Sequence, residues 1–279
     1  MLPRAVAWKN RPMRLVSLCP SITETLAALG LARNLVGVTR YCTRPRSSLK
    51  GIRRVGGTKN PDLGAIRAAR PDLVFCNGEE NRREDIEALG REFRVDVTHP
   101  RTVAEIPALV GHFGELTGKE GRAREISSKV EEAIERVDGR LVEGAGGSEE
   151  RASAVRPPRF RYVYLIWKNP WMTVGPRTYV ADLLRMVGGR SSLSLEESSG
   201  AAPRDYPATS EDEVLSSRPD VLLLPDEPYP FREKDAAFWR SRLPVSCRVL
   251  PVSGDDFCWH GVRTLQGIEA ARRLAMAFP

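Results

Sequence analysis

The sequence predicts an α/β protein built as two Rossmann-like lobes with mostly parallel sheets, one long helix joining them and a ligand cleft between the lobes. Three observations carry this expectation. The segment Arg70–Asn81, RPDLVFCNGEEN, returns in near copy as Arg218–Tyr229, RPDVLLLPDEPY. Short apolar runs alternate with helical patterns through both halves of the chain, as in βαβ units. A single long amphipathic stretch lies between the two copies.

In each copy, Arg-Pro-Asp is followed by an apolar run bounded by turn residues and too short for a helix, which reads as a fully buried strand. A polar or Pro-bearing turn carrying a glutamate comes next. Such a turn sits at the carboxyl end of its strand, where open α/β sheets place their ligands.

In chain order, residues 14–18 read as a strand. Pro20-Ser21 then opens a helix, with Ser21 and Glu24 at capping-box spacing and Gly30 as the stop. Leu35–Val38 is a second strand, running into the polar stretch TRYCTRPR. A short helix from Asn60-Pro61-Asp62 to Ala69 leads to the first repeat strand, then a helix from Arg82 to Leu89 and a strand Arg94–Thr98. Thr102 and Glu105 form a second capping-box pair, followed by apolar residues at helical spacing. From Lys119 to Leu141 the spacing predicts a helix of about 22 residues, roughly 33 Å long. The Gly-, Ser- and Pro-rich segment after it reads as a linker.

The second half begins with a strand, Phe160–Ile166, and the segment Trp167–Pro176, WKNPWMTVGP. Helices are expected at Arg177–Val187, Thr209–Ser217, Glu233–Trp239 and His260–Ala275, and strands at Val221–Leu224 and Arg248–Val252. The domain assignment is therefore 14–117 for the first α/β lobe, 118–142 for the connecting helix, 143–159 for a flexible loop and 160–279 for the second α/β lobe.

Composition narrows the function classes. With 279 residues, 41% hydrophobic and 28% charged, the chain can bury a sizeable core. The net charge of +7 raises nucleic acid as a partner. No run of five or six basic residues with interleaved aromatics supports it, so a basic solvated surface is expected and nucleic-acid binding is not. No apolar run of about 18 residues could span a membrane. The amino terminus is basic but lacks the apolar core of a signal peptide, which as given points to the cytoplasm. Five cysteines with no CxxC pair fit a thiol protein of that compartment, although Cys247 and Cys258 could pair in an oxidising one.

Enzyme signatures are missing: no phosphate-binding Gly-rich loop, no H-E-x-x-H and no G-x-S-x-G. The three histidines lie far apart, so no metal site is expected. His112 and His99 read as structural; His260, at a helix start beside a strand end, is open between ligand contact and packing. The aromatics Tyr41, Trp167, Trp171, Tyr229, Phe231 and Trp259 gather in predicted loops and suit a concave site for a large, flat ligand. The bland alternative is that Trp167 and Trp171 pin their loop to the lobe. Trp239 is expected in the core. Glu79, Glu80, Glu227 and Glu233 are open to three readings: an acid/base pair, helix-start charges, or a docking surface for a basic partner.

The segments LVSLCPSITETLAALG, LVGVTRYC, RRVGGTKNPDLGAIRAARPDLVFCNGEENRRED, IWKNPWMTVGPRTYVADLLRMVGG, RPDVLLLPDEPYPFRE and WHGVRTLQGIEAA, in this order, resemble the periplasmic-binding-protein family for vitamin B12 and ferric siderophores. The similarity runs from about Arg14 to Ala275. It implies two α/β lobes on a helical backbone, a ligand held without chemistry, and delivery to an ABC permease through a glutamate on each lobe. Carried over by position, ligand contacts fall on Tyr41, Asn77, Gly78, Glu79 and Glu80 in the first lobe, and on Trp167, Trp171, Tyr229, Trp259 and His260 in the second. The docking acids are Glu79 or Glu80 and Glu227 or Glu233, with Glu80 and Glu233 taken as the pair.

The resemblance implies a corrinoid such as cobalamin as ligand, no covalent cofactor, no catalytic residue and a monomer. A ferric siderophore or another metal chelate is the nearest variant, for which Arg40, Arg44 and Arg177 are candidate contacts. Transport binders of this family carry a signal or lipoprotein anchor and this sequence as given shows neither. A periplasmic or extracellular protein with a misassigned or truncated start is the alternative to a cytoplasmic one. A hydrolase or transferase using the glutamates and His260 is the competing reading from another class.

Overall fold

The computed structural model describes residues 11–143, 158–194 and 204–278. The chain divides into two units. The first comprises Met1–Pro100, Ala104–Glu131 and His260–Arg263, and the second comprises Arg101–Val103, Glu132–Trp259 and Thr264–Pro279.

The first unit holds a four-stranded parallel sheet made of β1 (Leu15–Ser17), β2 (Leu35–Val38), β3 (Leu73–Asn77) and β4 (Val95–Thr98), in the order β2-β1-β3-β4. Its helices are α1 (Pro20–Ala28), α2 (Leu63–Ala69), α3 (Arg83–Gly90), α4 (Ile106–Thr117) and the start of α5 (Glu120–Glu143). All five residues of β3 are buried, as a strand covered on both faces requires. Gly114 brings α4 against α5: a Cβ there would stand 2.4 Å from Ala123 Cβ. The boundary between the units falls within α5, after Glu131.

In the second unit β5 (Phe160–Trp167), β7 (Gly189–Ser191), β9 (Val221–Pro225) and β10 (Arg248–Val252) pair in parallel. The antiparallel strands β6 (Trp171–Thr173) and β8 (Ala208–Thr209) extend this sheet. Helices α6 (Tyr179–Met186), α7 (Glu211–Ser217), α8 (Glu233–Arg240), α9 (Gly254–Cys258) and α10 (Thr264–Ala275) complete the unit. Among the described residues no helix is long and apolar enough to cross a membrane.

The repeat has one physical explanation in both units. Arg70 and Arg218 close α2 and α7 in the left-handed conformation, at φ 45° and 48°. The proline that follows cannot continue a helix. The aspartate then ties the new strand to its neighbour. Arg14 N donates to Asp72 Oδ2 at 2.8 Å and Arg161 N donates to Asp220 Oδ2 at 2.6 Å. The aspartates' own amides donate to the carbonyls of Arg14 and Arg161, both at 2.8 Å.

Several local expectations change. Helix α1 begins at Pro20 with Cys19 as N-cap and no side-chain cap, so the Ser21/Glu24 box does not form. Ser21 is one residue inside the helix and its hydroxyl is taken by His260. Likewise α4 starts only at Ile106, after a 3-10 turn, without a side-chain cap. Its Pro107 lies in the first turn, where no amide hydrogen is needed. The segment after Trp167 is a hairpin rather than a loop, because Trp171 enters β6. The C-terminal helix is preceded by α9 and a 3-10 turn at Gly261–Arg263. Cys247 and Cys258 are thiols, not a disulfide.

Candidate functional site

All four strands of the first unit run parallel, so Ser17, Val38, Asn77 and Thr98 end at one edge of the sheet. That edge gathers Tyr41, the turn after β3, His99 and the incoming segment His260–Arg263. The turn is organised by Asn77, which is 3% exposed. Its Oδ1 accepts from the amides of Glu79 and Glu80, both at 2.9 Å, and its amide nitrogen donates to Asn81 Oδ1 at 2.8 Å. These bonds fix which way the carboxamide faces. Its Nδ2 therefore donates to His260 Nε2 at 3.2 Å, so Nε2 carries the lone pair and the proton sits on Nδ1. Ser21 Oγ stands 3.2 Å from the same Nε2. Burial, and then the charge of His99, push the His260 pKa down from 6.5 to about 4, so the ring is neutral at pH 7.

The residues after His260 tighten the same junction. Gly261 has φ 81°, and a Cβ there would lie 2.1 Å from Thr25 Oγ1. Val262 N donates to Thr25 Oγ1 at 3.1 Å, and Arg263 Nε to Glu24 Oε2 at 3.0 Å. Both charges of that ion pair are largely buried. His260 is thus buried and hydrogen-bonded within the first unit. Its Nε2 is shared by the Asn77 amide and the Ser21 hydroxyl, both at 3.2 Å.

Around this centre, Tyr41 is 53% exposed, with Arg40 over its ring at 5.6 Å. Gly78 is exposed, and Glu79 meets His99 at 3.3 Å. Glu80 is half-buried; burial first, then the charge of Glu79, raises its pKa. Cys19 Sγ lies 3.2 Å from Ser21 Oγ, and burial pushes its thiol pKa far up.

In the second unit the parallel strands β5, β9 and β10 end near Trp167, Pro225 and Val252. Trp167 is 43% exposed and meets half-buried Tyr229 edge-on, with ring centroids 5.5 Å apart. Trp171 and Phe231 belong instead to the core. Trp171 stacks on Phe231 and packs on Phe238 and Trp239, and its Nε1 donates to Glu211 at 3.4 Å. Trp171 therefore anchors the hairpin in the core, while the Trp167 ring faces solvent. Lys168 locks the same hairpin: its Nζ donates at 2.7 Å to Asp235, which is 1% exposed.

Trp259 is buried. Glu227 lies against α9, where a Cβ on Gly254 would stand 2.5 Å from Glu227 Cγ. Cys258 Sγ donates to Glu227 Oε1 at 3.5 Å. Burial dominates and raises the Glu227 pKa to about 7, against the opposing bonds from Cys258 and Trp259. The buried hydroxyl of Tyr164 has no hydrogen-bond partner among the described residues. Glu233, by contrast, is exposed and paired with Arg240. Ser21, Lys168 and Tyr164 were not among the expected site residues; a serine beside a helix-initiating proline is a weak signal, and the other two sit within strand and turn patterns.

No group of three or more His, Cys, Asp or Glu among the described residues could hold a metal ion. Comparison with known proteins places the fold. The profile of the periplasmic binding protein family matches residues 15–234. The chain belongs to the periplasmic binding protein family. A vitamin B12-binding protein of Pectobacterium carotovorum is 24% identical over 256 residues, covering 91% of this chain and 85% of its own. The ABC transporter substrate-binding lipoprotein YvrC of Bacillus subtilis is 22% identical over 272 residues, covering 95% and 80%. Among solved structures, the periplasmic vitamin B12-binding protein BtuF of Vibrio cholerae superposes with a TM-score of 0.75 at 20% identity, over 95% of this chain and 96% of that one. This likeness establishes the α/β fold of a periplasmic binding protein.

Proposed function

We propose that this family member is the substrate-binding component of an ABC-type uptake system and that its ligand is a corrinoid of the cobalamin type, bound without chemistry. The observation that carries the reading is near-full-length similarity to a vitamin B12-binding protein, joined to exposed aromatic rings at the sheet edges. Tyr41 in the first unit and Trp167 with Tyr229 in the second offer flat, rigid surface at low conformational cost. Gly78 and Glu79 complete the first edge. Asn77 and His260 support that edge from behind, and we leave Trp171 out of the ligand contacts. The Nε2 of His260 is held within the buried network by Asn77 and Ser21.

Helix α5, at 24 residues roughly 36 Å long, is the proposed backbone helix. Contact with a permease is assigned to carboxylates open to solvent. Glu233 is exposed, whereas Glu227 is half-buried. In the first unit Glu79 and half-buried Glu80 share the turn that would make this contact. The lipoprotein relative favours a protein working outside the cytoplasm, in place of the cytoplasmic expectation.

The test is titration with cyanocobalamin, followed by tryptophan fluorescence and by the corrinoid spectrum, with hemin as the metal-chelate arm. Saturable quenching by cobalamin that weakens in Trp167→Ala is expected. No saturable change in either signal would overturn the corrinoid reading, and saturation by hemin alone would replace it with a chelate of that kind.

A further inference from the structure

Residues 25–61 contain eight Lys or Arg and no Asp or Glu, in a chain whose whole net charge is +7. The fold gathers part of this excess into one place. A concavity of about 890 Å³ opens beside the first residues of β2, the outermost strand of the first sheet. Its cationic residues are Arg33, from the turn before β2, and Lys50 and Arg53, from the loop after it; Ser47 and Ser48 add hydroxyls. No lining residue is acidic. Among the described residues, no head group of Arg33, Lys50 or Arg53 makes an ion pair or a hydrogen bond, and all three residues are exposed. Leu35, Val36 and Ile52 form an apolar floor.

Most other arginines of the first unit are engaged locally. Arg67 holds Glu92, Arg83 holds Glu87, Arg122 holds Glu125, and Arg54 donates to the carbonyls of Thr39 and Cys42. The cations of this concavity are left without such partners. Because the strands are parallel, the amino end of β2 lies away from the carboxyl edge that carries Asn77 and Glu79. The concavity is therefore separate from the candidate site above.

We propose that this concavity is a second binding site, for an anion bearing phosphoryl groups. Guanidinium forks and an ammonium match the anionic, acceptor-only oxygens of such a group, and serine hydroxyls supply neutral donors beside them. The apolar floor also accommodates the organic part of a phosphate ester. The same chemistry is offered by a free polyphosphate and by a phospholipid headgroup.

The experiment uses the full chain and two triple variants. Arg33→Ala/Lys50→Ala/Arg53→Ala empties the concavity of charge; Arg91→Ala/Arg94→Ala/Arg124→Ala removes the same charge from exposed positions elsewhere in the first unit. Binding of inorganic pyrophosphate by calorimetry, and co-sedimentation with phosphatidylcholine vesicles with and without phosphatidylglycerol, are measured at low and high salt. The expected result is salt-sensitive binding of at least one of the two probes, weakened at least about tenfold by the first triple and little by the second. Pyrophosphate binding assigns a soluble ligand, and binding to phosphatidylglycerol vesicles alone assigns a headgroup. Equal weakening by both triples would reduce the effect to net charge and overturn the site, as would no binding of either probe. Cyanocobalamin titration of the first triple, expected unchanged, separates this site from the proposed corrinoid function.

Discussion

Replacing His260 by glutamine tests the buried network at the first sheet edge. In the folded chain the His260 pKa is about 4, against an ordinary 6.5. A group whose folded pKa is depressed contributes stability that is complete above the unfolded pKa and is lost as pH falls toward the folded one. With these values its destabilisation is small at about pH 7 and about 2 kcal/mol at about pH 5. Glu227 runs the other way. Its pKa is raised from 4.5 to about 7, so its contribution is complete below 4.5 and fades as pH rises toward 7. The two oppose one another across the same window and flatten the wild-type curve. Only the difference between wild type and variant isolates the histidine.

The assay is urea unfolding of both proteins at the two pH values. Glutamine offers an acceptor near the position of Nε2, so Asn77 keeps a partner and the variant remains folded. Between the two pH values the wild type is expected to lose about 2 kcal/mol more than the variant. A differential below about 0.5 kcal/mol would refute the buried neutral imidazole, as would a histidine resonance assigned to residue 260 titrating near 6.5.

Three further outcomes are expected. Gly261→Ala forces a side chain onto Thr25 at a positive φ and should lower stability by about 2–4 kcal/mol in thermal or urea unfolding. Asp72→Ala and Asp220→Ala each leave a strand amide, that of Arg14 or Arg161, without its acceptor, at a cost of about 1–3 kcal/mol; Asn at either position should recover part of the loss. Trp167→Ala should leave unfolding within about 0.5 kcal/mol of wild type because the ring is half exposed, while cobalamin affinity falls about tenfold or more.

Strands were legible where the reason for them is local. The apolar runs of β3 and β9 are bounded by Arg-Pro-Asp and by turn residues, and both folded as five fully buried residues. Helix starts were less legible. Ser-x-x-Glu at Ser21 and Glu24 matches a cap by spacing alone, but Pro20 begins the helix earlier, and both side chains are claimed by residues 239 positions away. The hairpin at Trp171 was missed because three residues of β6 carry too little periodicity to show. What makes Trp171 core and Trp167 surface is contact with Phe231, Phe238 and Trp239, which no window of sequence displays. His99 looked undistinguished until the fold set it against Glu79.

The first unit is discontinuous, and its last four residues are synthesised long after the rest of it. Asn77, Ser21, Thr25 and Glu24 emerge early and wait for His260, Val262 and Arg263. From residue 131 to residue 260 is 129 positions, roughly 6–26 s of translation. During that interval the nascent first unit exposes donors, acceptors and one acid whose partners do not yet exist. Chaperone contact should concentrate there, and a ribosome stalled just short of His260 should display a first unit far more sensitive to protease than the finished chain.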